Sequence, residues 1–207
     1  MDTLDYKEPI TKIYFVRHGQ TNANKQGLIF GRLDWDLNTE GVNEAKRVAS
    51  RLSEIKADHI IASPLVRATH TAKIIARKLK IKKIVIDKNL IEKSEGKWEG
   101  KNYWKVRTED PKGYQNWLKN PYKNKPPGGE SVVELNNRTK KFYKTILKKY
   151  SGKNIIVVGH SGPIRLFLLN ILNSEINKFW HLKIENASVT EIHLSKKHAM
   201  VWTVNRK

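Results

Sequence analysis

Two histidines, two arginines and one glutamate share one kind of position in this chain, a few residues after a short apolar run. Ile13 to Val16 is followed by Arg17, His18 and Gly19, and Ile60 to Ala62 by Ser63, Pro64 and Arg67. Glu92 follows Ile84 to Ile86, and Gly159, His160 and Ser161 follow Ile155 to Val158. Each alone has an ordinary explanation: a hydrogen-bonded structural histidine, a surface arginine, a solvated glutamate. Their convergence needs another. Parallel strands end at one edge of their sheet, ligands bind in the crevice there, and polar groups crowded into one edge are unfavourable unless something binds between them.

Phosphoryl transfer fits this set. The guanidinium forks of Arg17 and Arg67 match the oxygens of a phosphate monoester, and such anchoring carries much of the catalysis in this reaction type. An imidazole such as His18 can attack phosphorus once its other ring nitrogen donates to a backbone carbonyl, which fixes the tautomer. A second imidazole, His160, expected in its protonated form, would neutralise the equatorial oxygens. Glu92 would protonate the leaving oxygen and then activate water against the phosphohistidine. A metal site fits poorly: the seven histidines form no HxxxH or HExxH pair, and His18 and His160 have no clustered carboxylates beside them. With no Walker-type loop either, neither metal nor nucleotide cofactor is expected.

The elements that must position these residues are legible in outline. The four apolar runs read as strands buried on both faces. Val42, Ala45, Val48, Leu52 and Ile55 have helical spacing, with Thr39 as the expected N-cap. A second helix is expected with Ser63 as cap and Pro64 at its first position, burying Leu65, Ala68, Ala72, Ile75 and Leu79. Ser131 and Glu134 make a capping-box pattern before a third, which carries Val132, Leu135, Phe142, Ile146 and Tyr150. Alternation of this kind predicts an α/β fold, a three-layer α/β/α sandwich with a mainly parallel sheet. Ser188 to Leu194 and Met200 to Val204 would supply an antiparallel edge, and the Pro- and aromatic-rich stretch from about 97 to 129 an irregular cap over the carboxyl ends of the strands.

The 207 residues are a length that one domain can occupy, and the absence of cysteine excludes disulfides, thiolate metal clusters and a cysteine nucleophile. Met1 to Thr11 carries Asp2, Asp5 and Glu8 and no apolar core of signal-peptide length, and no membrane-length apolar run follows, so a soluble cytoplasmic protein is expected. The formal charge of +20 raises nucleic acid as a partner. Against it, 30 of the 40 basic residues are lysines, dispersed along the chain, whereas planar recognition of phosphates and base edges leans on arginine.

The motifs themselves resemble a known family. Phe15-Val16-Arg17-His18-Gly19-Gln20-Thr21 is similar to the signature of the histidine phosphatase superfamily, which includes cofactor-dependent phosphoglycerate mutases. Asn24, Gly31, Asp34, Leu37, Gly41 and Ala45 resemble its next loop and helix, and Ser63-Pro64-Leu65-Val66-Arg67-Ala68 with Thr71-Ala72 its second motif. Leu90, Glu92, Gly96 and Trp98-Glu99-Gly100 resemble the third, Pro127-Gly128-Gly129-Glu130-Ser131 the fourth, and Val158-Gly159-His160-Ser161-Gly162 the fifth. The ordered set spans about residues 12 to 194.

The resemblance implies His18 as the phosphorylated nucleophile, Arg17, Arg67 and His160 as the phosphate pocket, and Glu92 as the proton donor. It adds Asn24 and the Ser161 backbone as contacts to phosphate oxygens, and Thr21 as a candidate contact that could equally cap the following turn. Glu130 and Ser131 are assigned to structure. Ile91 and Glu95 stand where relatives often have arginine and an aromatic, so charge at the pocket mouth is expected to differ. The third and fourth motifs look most like the branch with alpha-ribazole and broad-specificity phosphatases.

The implied substrate is a small phosphorylated metabolite, with no specific nucleic acid, no membrane and a second copy of the chain as a candidate partner. A phosphoglycerate mutase is the alternative, disfavoured because the cap holds a single arginine, Arg107, to grip a carboxylate. A basic binding protein with a vestigial site is the third reading, and the intact set of five residues argues against it. Any association with DNA or RNA should be sequence-blind and vanish at moderate salt; a complex that survives physiological ionic strength in a mobility-shift titration would reverse that order.

Overall fold

A computed structural model describes residues 8–207; Met1 to Lys7, which include Asp2 and Asp5, lie outside them. In chain order the elements are β1 (Thr11–Arg17), α1 (Asn22–Lys25), α2 (Thr39–Arg51), β2 (His59–Ala62), α3 (Val66–Leu79) and β3 (Ile84–Ile86). Then follow α4 (Tyr103–Glu109), α5 (Pro111–Lys119), α6 (Val132–Lys149), β4 (Asn154–Gly159), α7 (Ser161–Ile171), β5 (Val189–Leu194) and β6 (Ala199–Arg206).

The six strands form one sheet in the order β3-β2-β4-β1-β5-β6. β1, β2, β3 and β4 run parallel, while β5 and β6 add the antiparallel edge. Successive side chains of a strand face opposite ways, which divides the core in two. Tyr14, Val16, Ile60, Ala62, Ile156 and Val158 pack against α2 and α3 through Val48, Leu52, Ala68, Ala72 and Ile75. Ile13, Phe15, Ile61, Ile155 and Val157 pack against α6 and α7 through Phe142, Ile146, Ile164, Phe167 and Leu168. The expected three-layer sandwich is therefore the observed one. One strand departs from expectation: β3 is a sheet edge, half-buried, with Ile86 48% exposed.

Two expected caps are displaced. Asn38, not Thr39, caps α2, its side-chain oxygen accepting from Gly41 N at 2.8 Å. For α3 the cap comes from outside the helix: the Asp34 carboxylate accepts from Val66 N at 2.9 and 3.1 Å, and Ser63 and Pro64 lie before the first turn. The stretch expected to be irregular contains α4 and α5. Asp110 caps α5 by accepting from Gly113 N at 3.0 Å, and Pro111 occupies the first turn, where no N–H is needed. Trp98, buried with Ile29 and Val106 and flanked by Tyr114 and Trp117, fastens this cap to the loop after α1 and donates its Nε1–H to Asp110 at 3.1 Å.

The capping box of α6 forms as expected, with Glu134 N donating to Ser131 Oγ at 3.1 Å and Ser131 N to Glu134 Oε2 at 2.8 Å. Replacing Ser131 with Ala should lower stability by about 1 kcal/mol, read in urea as an earlier midpoint at constant slope; an unchanged midpoint would show the box to be energetically neutral.

Candidate active site

The register of the parallel strands brings the chemistry together. Val16 and Ala62 both sit opposite Val158, so β1, β2 and β4 end level, and the residues that follow them emerge side by side. His18 N donates to Gly159 O at 3.0 Å and Ser63 N to Val158 O at 3.0 Å, which pins these exits to β4. Immediately beyond, Gly19 lies against the backbone of Gly41 at the start of α2, with no room for a Cβ on either residue. Only glycines let the loop after β1 approach that helix so closely.

His18 is 2% exposed, and its Nδ1–H donates to Gly19 O at 2.8 Å, leaving Nε2 as the ring's lone-pair nitrogen. Its ring centroid stands 5.1 Å from that of His160, which is fully buried. The Ser63 hydroxyl lies 2.7 Å from His160 Nε2; with the hydroxyl as donor, the proton of His160 sits on Nδ1, a buried nitrogen with no protein partner. Arg17 donates to Ile184 O at 2.6 Å. Arg67, also fully buried, donates to Gly31 O at 2.6 Å and Leu33 O at 3.2 Å, with its guanidinium over the Phe30 ring at 4.7 Å. The Nε atoms of both arginines are buried without a partner among the described residues.

Burial, reinforced by the charges of Arg17 and Arg67, holds the His18 imidazole well below its ordinary pKa. Burial, followed by the charges of Arg67, His18 and Arg17, does the same to His160. The expectation of a protonated second imidazole is therefore not met in the free protein, where both rings are neutral. Burial also draws Arg17 down to about 10, still far above neutrality, so the guanidinium remains charged.

Glu92 enters from the segment after β3. Its Oε1 accepts from Lys93 N at 2.8 Å, and its Oε2 accepts from Ser161 Oγ and Gly162 N, both at 3.2 Å. A Cβ on Gly162 would overlap this carboxylate, so the glycine after Ser161 is what admits it. Arg138 of α6 fixes the backbone behind it, donating to Glu92 O at 2.9 Å and Asn89 O at 2.9 Å while paired with Glu130 at 2.9 Å. The N-terminal turn of α7 opens at the same place, with Ser161 as its first residue, which favours an anion there.

A cleft of about 190 Å³ lies over these groups, and Arg17, His18, Glu92 and Ser161 are in its wall. Arg67 and His160 are fully buried and are not in its wall. Thr21 and Asn24 lie outside the wall and brace each other. Thr21 caps α1 by accepting from Asn24 N, and Asn24 Oδ1 accepts from Thr21 N at 3.0 Å and from Asn186 Nδ2 at 3.2 Å. Asn186 Nδ2 also donates to His18 O at 3.1 Å, so this pair supports the backbone of His18. Glu95 does not put a free charge at the mouth: it is largely buried and pairs with Lys93 at 2.7 Å, and burial pushes its carboxyl up to about 7.

Several residues of the site were not anticipated. Ser63 orients His160 instead of capping a helix, Arg138 positions the backbone of Glu92, and Arg165, Tyr103, Phe179 and Trp180 complete the cleft wall. Arg165 alone had a readable signal, since it stands four residues after Ser161 on a helix that begins at the site. Among the described residues no group of three or more His, Asp or Glu is placed to hold a metal ion, and no helix is long and apolar enough to cross a membrane.

A mainly parallel sheet with two imidazoles, two arginines and a carboxylate at its carboxyl edge defines a class of phosphate-handling protein, and comparison with known proteins agrees. The profile of the histidine phosphatase superfamily (branch 1) matches residues 13–207. Phosphoserine phosphatase 1 of Hydrogenobacter thermophilus is 32% identical over 196 residues, covering 95% of this chain and 92% of its own. The metal-independent phosphoserine phosphatase of Arabidopsis thaliana is 34% identical over 196 residues, 93% of this chain and 80% of its own. The crystal structure of the alpha-ribazole phosphatase from Shigella flexneri superimposes with a TM-score of 0.88 at 25% identity, covering 94% of this chain and 96% of that one. The chain belongs to the histidine phosphatase superfamily, and it is an enzyme of the phosphatase kind.

Neutral burial of His18 and His160 has a thermodynamic consequence. Their pKa values are lower folded than unfolded, so below about pH 6.5 the unfolded chain binds more protons, and stability falls as pH falls. Each imidazole contributes a slope of up to about 1.4 kcal/mol per pH unit. Denaturation between pH 7 and 5 should show a steep loss that His160→Gln flattens; an equal slope in the variant would show His160 to be charged when folded.

Proposed function

We propose that this protein hydrolyses small phosphate monoesters through a phosphohistidine on His18, with no metal ion and no cofactor. The observation that carries the reading is the set of three buried nitrogens without protein acceptors, Arg17 Nε, Arg67 Nε and His160 Nδ1, gathered around a histidine whose Nε2 is left as its lone-pair atom. Buried donors are ordinarily paired, and a phosphoryl group offers the missing acceptors.

In the first step the Nε2 lone pair of His18 attacks phosphorus, the P–N bond forms, and the ester P–O bond breaks toward the leaving alcohol. Glu92 acts as the general acid and gives a proton to that oxygen. The Nδ1–H bond to Gly19 stabilises the imidazole as it gains positive charge, and the guanidinium groups of Arg17 and Arg67 take up charge on the equatorial oxygens. In the second step the Glu92 carboxylate accepts a proton from water, the water oxygen bonds to phosphorus, and the P–N bond breaks to release inorganic phosphate and neutral His18. The narrow cleft suits a small ester better than a macromolecule. The reading accordingly takes a phosphorylated metabolite of the cytoplasm as substrate, and phosphoserine and alpha-ribazole phosphate, named for the relatives, are the first esters to offer.

Rapid quench with a labelled ester should trap an acid-labile, base-stable phosphoramidate. His18→Ala should abolish the adduct and lower turnover by at least about a thousandfold. Glu92→Gln should slow ester cleavage by roughly 100-fold or more, most for poorly acidic leaving alcohols. Undiminished turnover by the His18 variant would refute the mechanism, and interconversion of 3- and 2-phosphoglycerate far outrunning phosphate release would refute the hydrolase.

A further inference from the structure

The Nδ1–H of His18 is held by one peptide group, and the other end of that group meets a carboxylate. Gly19 O, which accepts from His18 Nδ1 at 2.8 Å, and Gln20 N, which donates to Glu44 Oε2 at 2.7 Å, belong to the same amide. His18, one amide and Glu44 therefore form a continuous hydrogen-bonded chain. Close packing makes it possible: Gly41 lies against the Gln20 backbone with no room for a Cβ, and Glu44 stands one turn further along α2. The backbone on either side is held without Glu44. Gly19 N donates to Thr71 Oγ1 at 3.1 Å, His18 O accepts from Asn186 Nδ2 at 3.1 Å and Ala187 N at 3.2 Å, and Gln20 O accepts from Asn38 N at 3.0 Å. What the Glu44 bond adds to these is charge. Of the cations that share a small pocket with it, Arg47 pairs with Glu40 at 2.6 Å and Lys207 with Glu185, and among the described residues neither these nor Arg51 forms an ion pair with Glu44. Its carboxylate acts on Arg17 only at longer range.

Resting on the phosphatase reading, we propose that Glu44 is a positioning residue that acts on His18 through the Gly19–Gln20 peptide group. Hydrogen bonds in a chain polarise one another, so a carboxylate on the amide N–H makes the carbonyl oxygen of the same amide a stronger acceptor. Gly19 O then holds the Nδ1–H of His18 more tightly, and more tightly still as the ring gains positive charge during attack on phosphorus. The site needs such a counterweight. Burial and the charges of Arg17 and Arg67 make His18 a weaker base, which also weakens it as a nucleophile, and the bond to Gly19 O pulls the other way. Glu44 strengthens that bond from outside the cleft wall, where its own charge does not repel an arriving phosphate at contact range.

Glu44→Gln is the informative variant, because its amide oxygen can still accept from Gln20 N while the charge is gone. In protein carrying isotope-labelled histidine, the Nδ1–H proton of His18, assigned by its loss in His18→Ala, should move upfield in Glu44→Gln. The burst of phosphohistidine formed from p-nitrophenyl phosphate, whose acidic leaving group needs little help from Glu92, should slow by about tenfold with KM little changed. A purely structural role predicts a native burst in Glu44→Gln and a slow one in Glu44→Ala, and a role through Arg17 predicts a loss carried by KM. An unmoved resonance, an undiminished burst or a loss in KM alone in Glu44→Gln therefore overturns the proposal. The resonance is read in the free protein, without substrate. A native preparation that forms no adduct on His18 would sink the phosphatase reading, whereas an unmoved resonance would sink the role of Glu44 alone.

Discussion

Two arginines, each with a formal positive charge, are held in one buried place beside two imidazoles, and the site is organised around making that tolerable. Like charges at short range in a poorly solvated interior repel strongly. Among the described residues no carboxylate stands in hydrogen-bonding contact with Arg17, and the nearest to Arg67, Asp34, is at 3.7 Å. The first acceptors are backbone carbonyls, of Ile184 for Arg17 and of Gly31 and Leu33 for Arg67. Carbonyl dipoles hold the guanidiniums in place without neutralising them. The positive potential is therefore kept for a ligand, and it reinforces the burial that keeps both imidazoles neutral.

Those carbonyls come from distant parts of the chain, which explains why so much structure surrounds the site. The loop carrying Gly31 and Leu33 is itself held by Glu99, which accepts from Arg32 N at 3.0 Å and Leu33 N at 2.7 Å, and Glu99 follows the buried Trp98. Asp34 in the same loop caps α3, the helix that carries Arg67. The cap is thus more than a cover. Its Trp98 core fixes a loop, the loop fixes an arginine, and the arginine can receive phosphate only because the loop is fixed.

What was legible in the sequence follows the range of the interactions. Strand runs, helical stripes and the Ser131 capping box rest on neighbours within four residues, and they stand where the pattern put them. Arg17, His18, Arg67, Glu92 and His160 were legible because each follows a strand and strand ends share an edge. The failures have the opposite character. Ser63 looks like a local cap, yet its hydroxyl serves His160, 97 residues away, and the cap of α3 comes from Asp34, 32 residues upstream. α4 and α5 were hidden because prolines were read as breakers, although Asp110 followed by Pro111 is an acceptable helix start. Thr21 and Asn24 resemble phosphate ligands by motif; in the structure the Thr21 hydroxyl caps α1 and Asn24 Oδ1 accepts from Thr21 and Asn186, while among the described residues no hydrogen bond engages Asn24 Nδ2.

The neutral state of His160 also bears on how the site works. A protonated imidazole beside Arg17 and Arg67 would add a third like charge to a buried cluster before any anion arrived, and its depressed pKa registers its burial first and that repulsion second. An arriving dianion reverses the sign of the local field, and the phosphoryl oxygens then favour a proton on the ring they touch. Because Ser63 occupies Nε2, any proton gained by His160 leaves Nδ1–H in place and aimed at the ligand. In the proposed mechanism His18 faces the opposite requirement, since it attacks unprotonated, and its Nδ1 is already committed to Gly19. One positive field therefore sets two histidines to different tasks. On the proposed mechanism it keeps His18 bare for attack and leaves His160 free to take up charge once phosphate is bound.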